Sequence, residues 1–521
     1  MTPTLPAHGA APVHPVDEVL PAPRLLALGL QHVLVMYAGA IAVPMIIGGA
    51  LKLPKDQVAF LIAADLFCCG LVTMIQSIGI WKVGIRLPVM MGVTFTAIAP
   101  IIATGSNPSL GLPAVFGAVM VAGVFTCFAA PYVGKMVRWF PPVVTGTVVL
   151  VIGISLMRVG INWAAGGNPT INTAAGPVPN PNFGVPVNIA IATAVLCTVL
   201  ALVAFARGFL CNVAVLIGIA VGFLIALAMG KVSFDGLHNA HWVEFITPFH
   251  FGWPTFDAMT AITLCVVMMV IMIEGVGQFL ALGEIVGRPV GSEDIARGLR
   301  ADGVGALVGA VFNTFTYTSY AQNVGLVQVT GVRSRWVCAT AGGILIVLGC
   351  LPKLSFFAAS IPQYVLGGAA LVMFGMVAAT GVRILGHVDF VENKKNAYIV
   401  AVSVALGMIP LVSDKFFSQM PELLAKFCQN GILLGTLTAV LLNLLFNARS
   451  PAPRPTGWRR NRREHVGRPS PACRAAASAG RGRPAPAATT TGPRAPAAIS
   501  RGGSPDRSAL RWQGQAPKSG A

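Results

Sequence analysis

The chain has 521 residues, of which 55% are hydrophobic and only 10% charged, with a mean hydropathy of +0.74. Those values exclude a soluble globular protein, in which about a quarter of residues carry charge. The net charge of +18 invites a nucleic-acid partner, but roughly fifteen Lys and Arg against two acids fall after residue 448, so the excess sits in the tail and no nucleic acid is expected.

Residues 1–23 lack a basic stretch ahead of an apolar one and contain Asp17 and Glu18, which predicts a cytoplasmic N-terminal segment and not a cleaved signal peptide. Apolar runs follow at 25–50, 58–80, 114–133, 143–157, 187–206, 210–230, 258–282, 336–351, 364–379, 397–411 and 431–446. A helix needs roughly 20 such residues to cross a bilayer, fewer if it is broken. Weaker runs at 87–104, 295–312 and 317–331 bring the expected total to about fourteen crossings, so the predicted fold class is an all-α polytopic membrane protein. With the N-terminus inside, Lys and Arg favour the cytoplasmic connections by about two to one, as Lys82, Arg86, Arg297 and Arg300 illustrate against Lys52, Lys231 and Lys353. An even number of spans then leaves both termini in the cytoplasm of a multi-pass inner-membrane protein.

Residues 448–521, with Arg459, Arg460, Arg462 and Arg463 followed by an Ala/Pro/Gly/Ser-rich run, hold too few large apolar residues to fold. They read as a disordered basic tail able to touch anionic membrane lipid, or as out-of-frame translation of a GC-rich gene. The ten cysteines lie almost all in apolar runs without ligand or disulfide spacing, so neither a metal nor a cofactor is expected. The chain has no G-x-S-x-G, H-E-x-x-H or Walker sequence. That argues against an enzyme and against an ATP-driven pump.

Two of the runs are short and polar. The third begins Leu87-Pro88-Val89-Met90-Met91-Gly92-Val93-Thr94-Phe95-Thr96, and the tenth covers 317–331. Interrupted spans at matching places in two halves suggest a 7+7 inverted repeat with its site near the bilayer midplane. Their β-branched residues predict short extended pieces at 94–96 and 324–329. Within an apolar run, Glu274 costs about 2.5–3.5 kcal/mol on insertion scales, which points to a carboxyl that gains and loses a proton or to one bound to a neighbouring helix. Asp302, in Arg300-Ala301-Asp302-Gly303, stands at the expected head of the ninth span, where a cap role is open. Asp65 is expected to have a structural partner. His32 could bond between helices or touch a ligand. Gly325 and Gly331 permit turns and close approach.

The stretch 322–331 reads Q-N-x-G-x-x-x-x-T-G. It resembles the signature of the nucleobase–ascorbate transporters, the nucleobase:cation symporters of the second type, in their xanthine/uric acid permease branch. The resemblance covers 24–446 and implies a transporter domain at 24–447, divided into a core (about 24–135 and 258–357) and a gate (about 136–257 and 358–447). It further implies substrate held between two short antiparallel strands, and a homodimer. Glu274 matches the family's essential glutamate, and Gln322 and Asn323 match the first two signature residues. The backbone near Phe95 and Gly325 would complete a base pocket, with Asp302 and His32 resembling supporting or proton-coupling groups. The amide of Gln322 suits the carbonyl and N–H edge of an oxidised purine. Uracil carriers commonly place an acid there. Two departures matter: Gln278 replaces a titratable residue of many relatives, and Thr94 replaces an asparagine of xanthine carriers, leaving room for the third oxygen of urate. The expected function is symport of a purine nucleobase, uric acid ahead of xanthine, with a proton, sodium being the other ion such carriers use. The alternatives are a carrier of uracil or another nucleobase, and an inorganic-anion exchanger or channel of similar 7+7 fold.

Overall fold

The computed structural model describes residues 14–133, 141–173, 176–234, 237–413, 415–421, 428 and 431–447. The tail predicted at 448–521 and the start of the N-terminal segment lie outside the described residues.

Helices α1 (Ala22–Ala50) and α2 (Lys55–Ile78) are joined by a four-residue turn. After them the chain is irregular until strand β1 (Met91–Val93), which leads into the half-length α3 (Ile98–Gly105) and then α4 (Gly111–Ala129). The middle of the chain holds α5 (Pro142–Ala164), the hairpin of β2 (Thr170–Thr173) and β3 (Gly176–Pro179), α6 (Pro186–Phe205), the single turn α7 (Phe209–Asn212) and α8 (Ala214–Ala228). Next come α9 (Ala258–Val286), α10 (Ser292–Val311), β4 (Tyr317–Ser319) and the half-length α11 (Ala321–Thr330). The chain continues through α12 (Arg335–Gly349), α13 (Pro352–Ala359), α14 (Gln363–Leu385), α15 (Lys395–Val412) and α16 (Gly431–Asn447).

Among the described residues eight helices are long and apolar enough to cross a membrane, or nine if α12 and α13, bent by 81°, form one broken span. The most enclosed of the eight are α1 and α2, at 72% buried, whereas α15 is 22% buried and presents most of its apolar surface outward. In lipid that outward surface has no reason to hide, so burial marks where protein packs on protein. Helices α5 and α14 pack tightly, because glycines on both sides (Gly153 against Ala378, Gly381 against Leu150) let the backbones meet.

Strands β1 and β4 pair antiparallel with Met91 opposite Ser319, Gly92 opposite Thr318 and Val93 opposite Tyr317. The ladder is extended by Thr94 N–H to the Thr316 carbonyl and by Tyr320 N–H to the Met90 carbonyl, both 2.9 Å. Gly92 is required by its neighbour: a Cβ there would overlap the Tyr320 ring. The strands do not fall where β-branched residues predict them. Val324, Val327 and Val329 belong to helix α11, and 94–96 lies just past β1. At membrane depth each backbone group must find a partner, so residues 321–330 take theirs from a helix and override a weak β preference. Between these broken segments extended backbone survives as two three-residue pieces that satisfy each other.

Candidate functional site

Helix α9 is fixed at both ends. The Asp257 carboxylate accepts from Thr260 N–H (2.8 Å) and Thr260 Oγ1 (2.7 Å), and Gly287, with φ of 76°, ends the last turn in the left-handed conformation that favours glycine. Between these caps Glu274 and Gln278 stand four residues apart, on one face. The Gln278 amide nitrogen donates to Glu274 Oε1 at 3.3 Å, and its oxygen accepts from the Ser319 hydroxyl at 2.6 Å. Glu274 is thus joined through one amide to the last residue of β4. Ser319 escapes sequence reasoning based on motifs, although the hydroxyl-rich run Thr314, Thr316, Thr318, Ser319 just ahead of the signature is its visible trace.

Gln322 lies three residues past Ser319, at the second position of α11, where it is exposed and its amide has no partner among the described residues. Its neighbour differs. Asn323 is 1% exposed, and its amide nitrogen donates to the His32 carbonyl at 2.9 Å and lies 3.1 Å from His32 Nδ1. Asn323 therefore ties α11 to α1, with only its side-chain oxygen left unpartnered. His32, also buried, serves as the other half of that interhelical bond.

Asp302 is the eleventh residue of α10 and not its cap. The helix begins earlier than its apolar run suggests, because charged residues fill its first turns, and Asp294 accepts from Gly291 N–H (3.1 Å) at the true start. Asp302 is fully buried, and neither carboxylate oxygen has a hydrogen-bond partner among the described residues. A Cβ on Gly275 would stand 3.5 Å from Asp302 Oδ2, so this carboxylate abuts the residue that follows Glu274. Asp65 has the structural partner expected of it. Tyr317 in β4 donates its hydroxyl to Asp65 Oδ1 at 2.8 Å, and Thr314 Oγ1 lies 2.7 Å from the same hydroxyl. The strand is consequently held to α2 by Tyr317 and to α9 by Ser319.

On the facing segment, the hydroxyl of Thr94 accepts from Thr96 N–H at 3.2 Å. Phe95 sets its ring edge against Phe374 of α14 with centroids 5.8 Å apart, while its own N–H has no partner among the described residues. Gly325 has open space beside it: a Cβ would meet nothing within 4 Å. No close protein packing therefore explains the glycine at 325, whereas Gly331, with φ of 67°, ends α11 in the left-handed conformation that favours glycine.

Two membrane segments broken by paired strands, each continuing as a half helix, form the architecture of a membrane carrier. Solved structures share the fold. The transmembrane domain of the cyanobacterium bicarbonate transporter BicA aligns with a TM-score of 0.55 at 16% identity, covering 80% of this chain and 98% of that one. SLC26A9 aligns with a TM-score of 0.55 at 13% identity, covering 82% of this chain and 66% of that one. Sequence relationships are narrower. A sequence model described as "Permease family" matches residues 23–416, and the chain belongs to this family, that of the nucleobase–ascorbate transporters; it is a permease and not an enzyme. It is 52% identical over 437 residues to the "Uric acid transporter UacT" of Escherichia coli K12, covering 84% of this chain and 89% of the relative. It is 43% identical over 432 residues to the "Xanthine permease" of Bacillus subtilis 168 (82% of this chain, 95% of the relative). To "Uric acid permease PucJ" of the same organism it is 43% identical over 426 residues (82% and 93%).

Proposed function

We propose that the protein is a secondary active symporter that imports an oxidised purine, uric acid in preference to xanthine, with protons and by alternating access. The observation that carries this reading is the connected path from Glu274 through Gln278 to Ser319, three residues ahead of the unpartnered Gln322 amide. A carboxyl able to exchange a proton and an amide able to read a lactam edge thereby share one structural unit. The names of the relatives, two uric acid carriers and a xanthine permease, support the same substrate class.

In this mechanism Gln322, the free oxygen of Asn323, Thr94, the Phe95 N–H and the space beside Gly325 receive the base. Protonated Glu274 donates to it, while Gln278, Asp302 and His32 hold the acid and the helix break in place. In the empty carrier the ionised Glu274 keeps the Gln278 amide as its donor, whereas bound purine needs the protonated acid. An ionised Glu274 enclosed against the base is costly, so the closed carrier crosses only when proton and purine are both aboard or both absent. Packing supports the division into a core (24–135 and 258–357) that moves against a gate (136–257 and 358–447): α2 packs chiefly on α12 and α4 on α10, whereas α5 packs on α14 and α15 on α16. The broken segments, the shorter apolar helices and α10, added to the long spans, support fourteen crossings as a 7+7 inverted repeat in the inner membrane with cytoplasmic termini. Membership of the family, whose resemblance implies a homodimer, supports that assembly.

Uptake of labelled urate, xanthine and uracil in cells lacking their own carriers tests this. Urate uptake should be abolished by a protonophore and blocked by excess xanthine. Uptake of uracil alone, or urate uptake indifferent to the protonophore, would refute it.

A further inference from the structure

A cavity with a mixed apolar and polar lining lies toward the far end of α1. It has a volume of about 310 Å³ and is bounded by the ends of α1 and α5, the starts of α2 and α14, and the segment after α8; Lys55, Lys231, Trp163, Ser360 and Gln363 are among its lining residues. The cavity is separate from the Gln322 region. Gly49 on its wall is ten residues beyond Gly39, which packs against Tyr320, and ten helical residues span about 15 Å. With the N-terminus in the cytoplasm, this end of α1 opens to the outside.

The lining chemistry is that of a reader of flat anions. Lys55 Nζ donates to Ser233 Oγ at 3.1 Å and to its carbonyl at 3.3 Å, which holds the start of α2 to the segment after α8 and fixes one positive charge. The ammonium of Lys231 is exposed and has no partner among the described residues. Gln363 opens α14 with an amide that also has none there, seated between two glycines: a Cβ on Gly49 would stand 3.1 Å from its nitrogen, and one on Gly167 3.1 Å from its oxygen. Trp163, 6% exposed, contributes an aromatic wall. Two ammonium groups, a free donor–acceptor amide and an indole together match a planar heterocyclic anion with alternating carbonyl and N–H groups.

We propose that this cavity is an external recruitment site, where the urate monoanion is held before it passes to the site beside Gln322. The inference rests on the proposed function. Positive charge at a cleft mouth raises local anion concentration and the rate of capture, not the rate of the steps that follow.

The test is initial-rate uptake of labelled urate, and of xanthine near pH 6 where it is mostly neutral, by wild type, Lys231→Gln, Lys231→Arg and the double variant Lys55→Gln/Lys231→Gln, each normalised to membrane content. Neutralising Lys231 should raise KM for urate about three- to tenfold at low salt with the maximal rate kept, and the double variant should raise it further. Lys231→Arg should restore the wild-type value, neutral xanthine should be little affected, and added salt should shrink the difference. An unchanged urate KM in Lys231→Gln and in the double variant overturns the recruitment site while leaving wild-type urate uptake, and so the proposed function, intact. An equal rise for urate and neutral xanthine, or a fall only in maximal rate, also overturns it by revealing a structural role. Absence of urate uptake by wild type defeats the function and this site with it.

Discussion

The hydroxyl of Ser319 donates to Gln278 Oε1 at 2.6 Å, and through that single bond a three-residue strand controls how the neighbouring amide meets Glu274. With its oxygen engaged, the Gln278 amide has its nitrogen aimed at the carboxylate. Ser319→Ala removes this orientation. One hydrogen bond is worth about 1 kcal/mol net, so uptake should fall about five- to tenfold at unchanged membrane content. Radiotracer uptake by Ser319→Ala at the wild-type rate would show that the bond is incidental.

Tyr317→Phe should act on stability. It leaves buried Asp65 Oδ1 without its hydroxyl donor, a loss of about 1–3 kcal/mol. The thermal midpoint of the purified protein should drop, and Asp65→Asn added to Tyr317→Phe should cost less than the two changes summed. Additive losses would mean that the two side chains are not energetically coupled.

Asn323 and His32 form a comparable pair, 291 residues apart in sequence. Asn323→Ala and His32→Ala should each destabilise the protein, with a coupling of about 0.5–3 kcal/mol in a double-mutant cycle followed by denaturation. A coupling near zero would show that the contact with the His32 ring is incidental, leaving the bond to the His32 carbonyl as the tether between α11 and α1.

Two glycines separate packing from recognition. Gly92→Ala must displace the Tyr320 ring and should sharply reduce the amount of folded protein in the membrane. Gly325→Ala meets no protein atom within 4 Å, so its folded amount should match wild type while urate uptake falls. Normal uptake by Gly325→Ala would place the substrate elsewhere.

Much of the architecture was legible because lipid imposes it. Apolar runs mark α1, α2, α6, α15 and α16 to within a few residues, since a crossing helix needs a continuous apolar length. Glu274 stood out for the same reason, as a charge where none is cheap. The strands were misplaced because three-residue pieces such as Met91–Val93 are too short for any periodicity, and the valines at 324, 327 and 329 favour strands only when their backbone has nowhere better to bond. Asp302 reads as a helix head because uninterrupted uncharged sequence starts only at Gly303, well inside α10. The bonds from Ser319 to Gln278 and from Asn323 to His32 join segments distant in sequence, and one chain offers no local signal for them.

Coupling through Glu274 is the centre of the mechanism, and its most direct test is urate accumulation in proteoliposomes under an inward proton gradient, comparing wild type with Glu274→Gln. Wild type should concentrate urate above the outside level. Glu274→Gln, inserted and folded to the same extent, should not accumulate it at all. A Glu274→Gln protein that concentrates urate as wild type does would contradict the account.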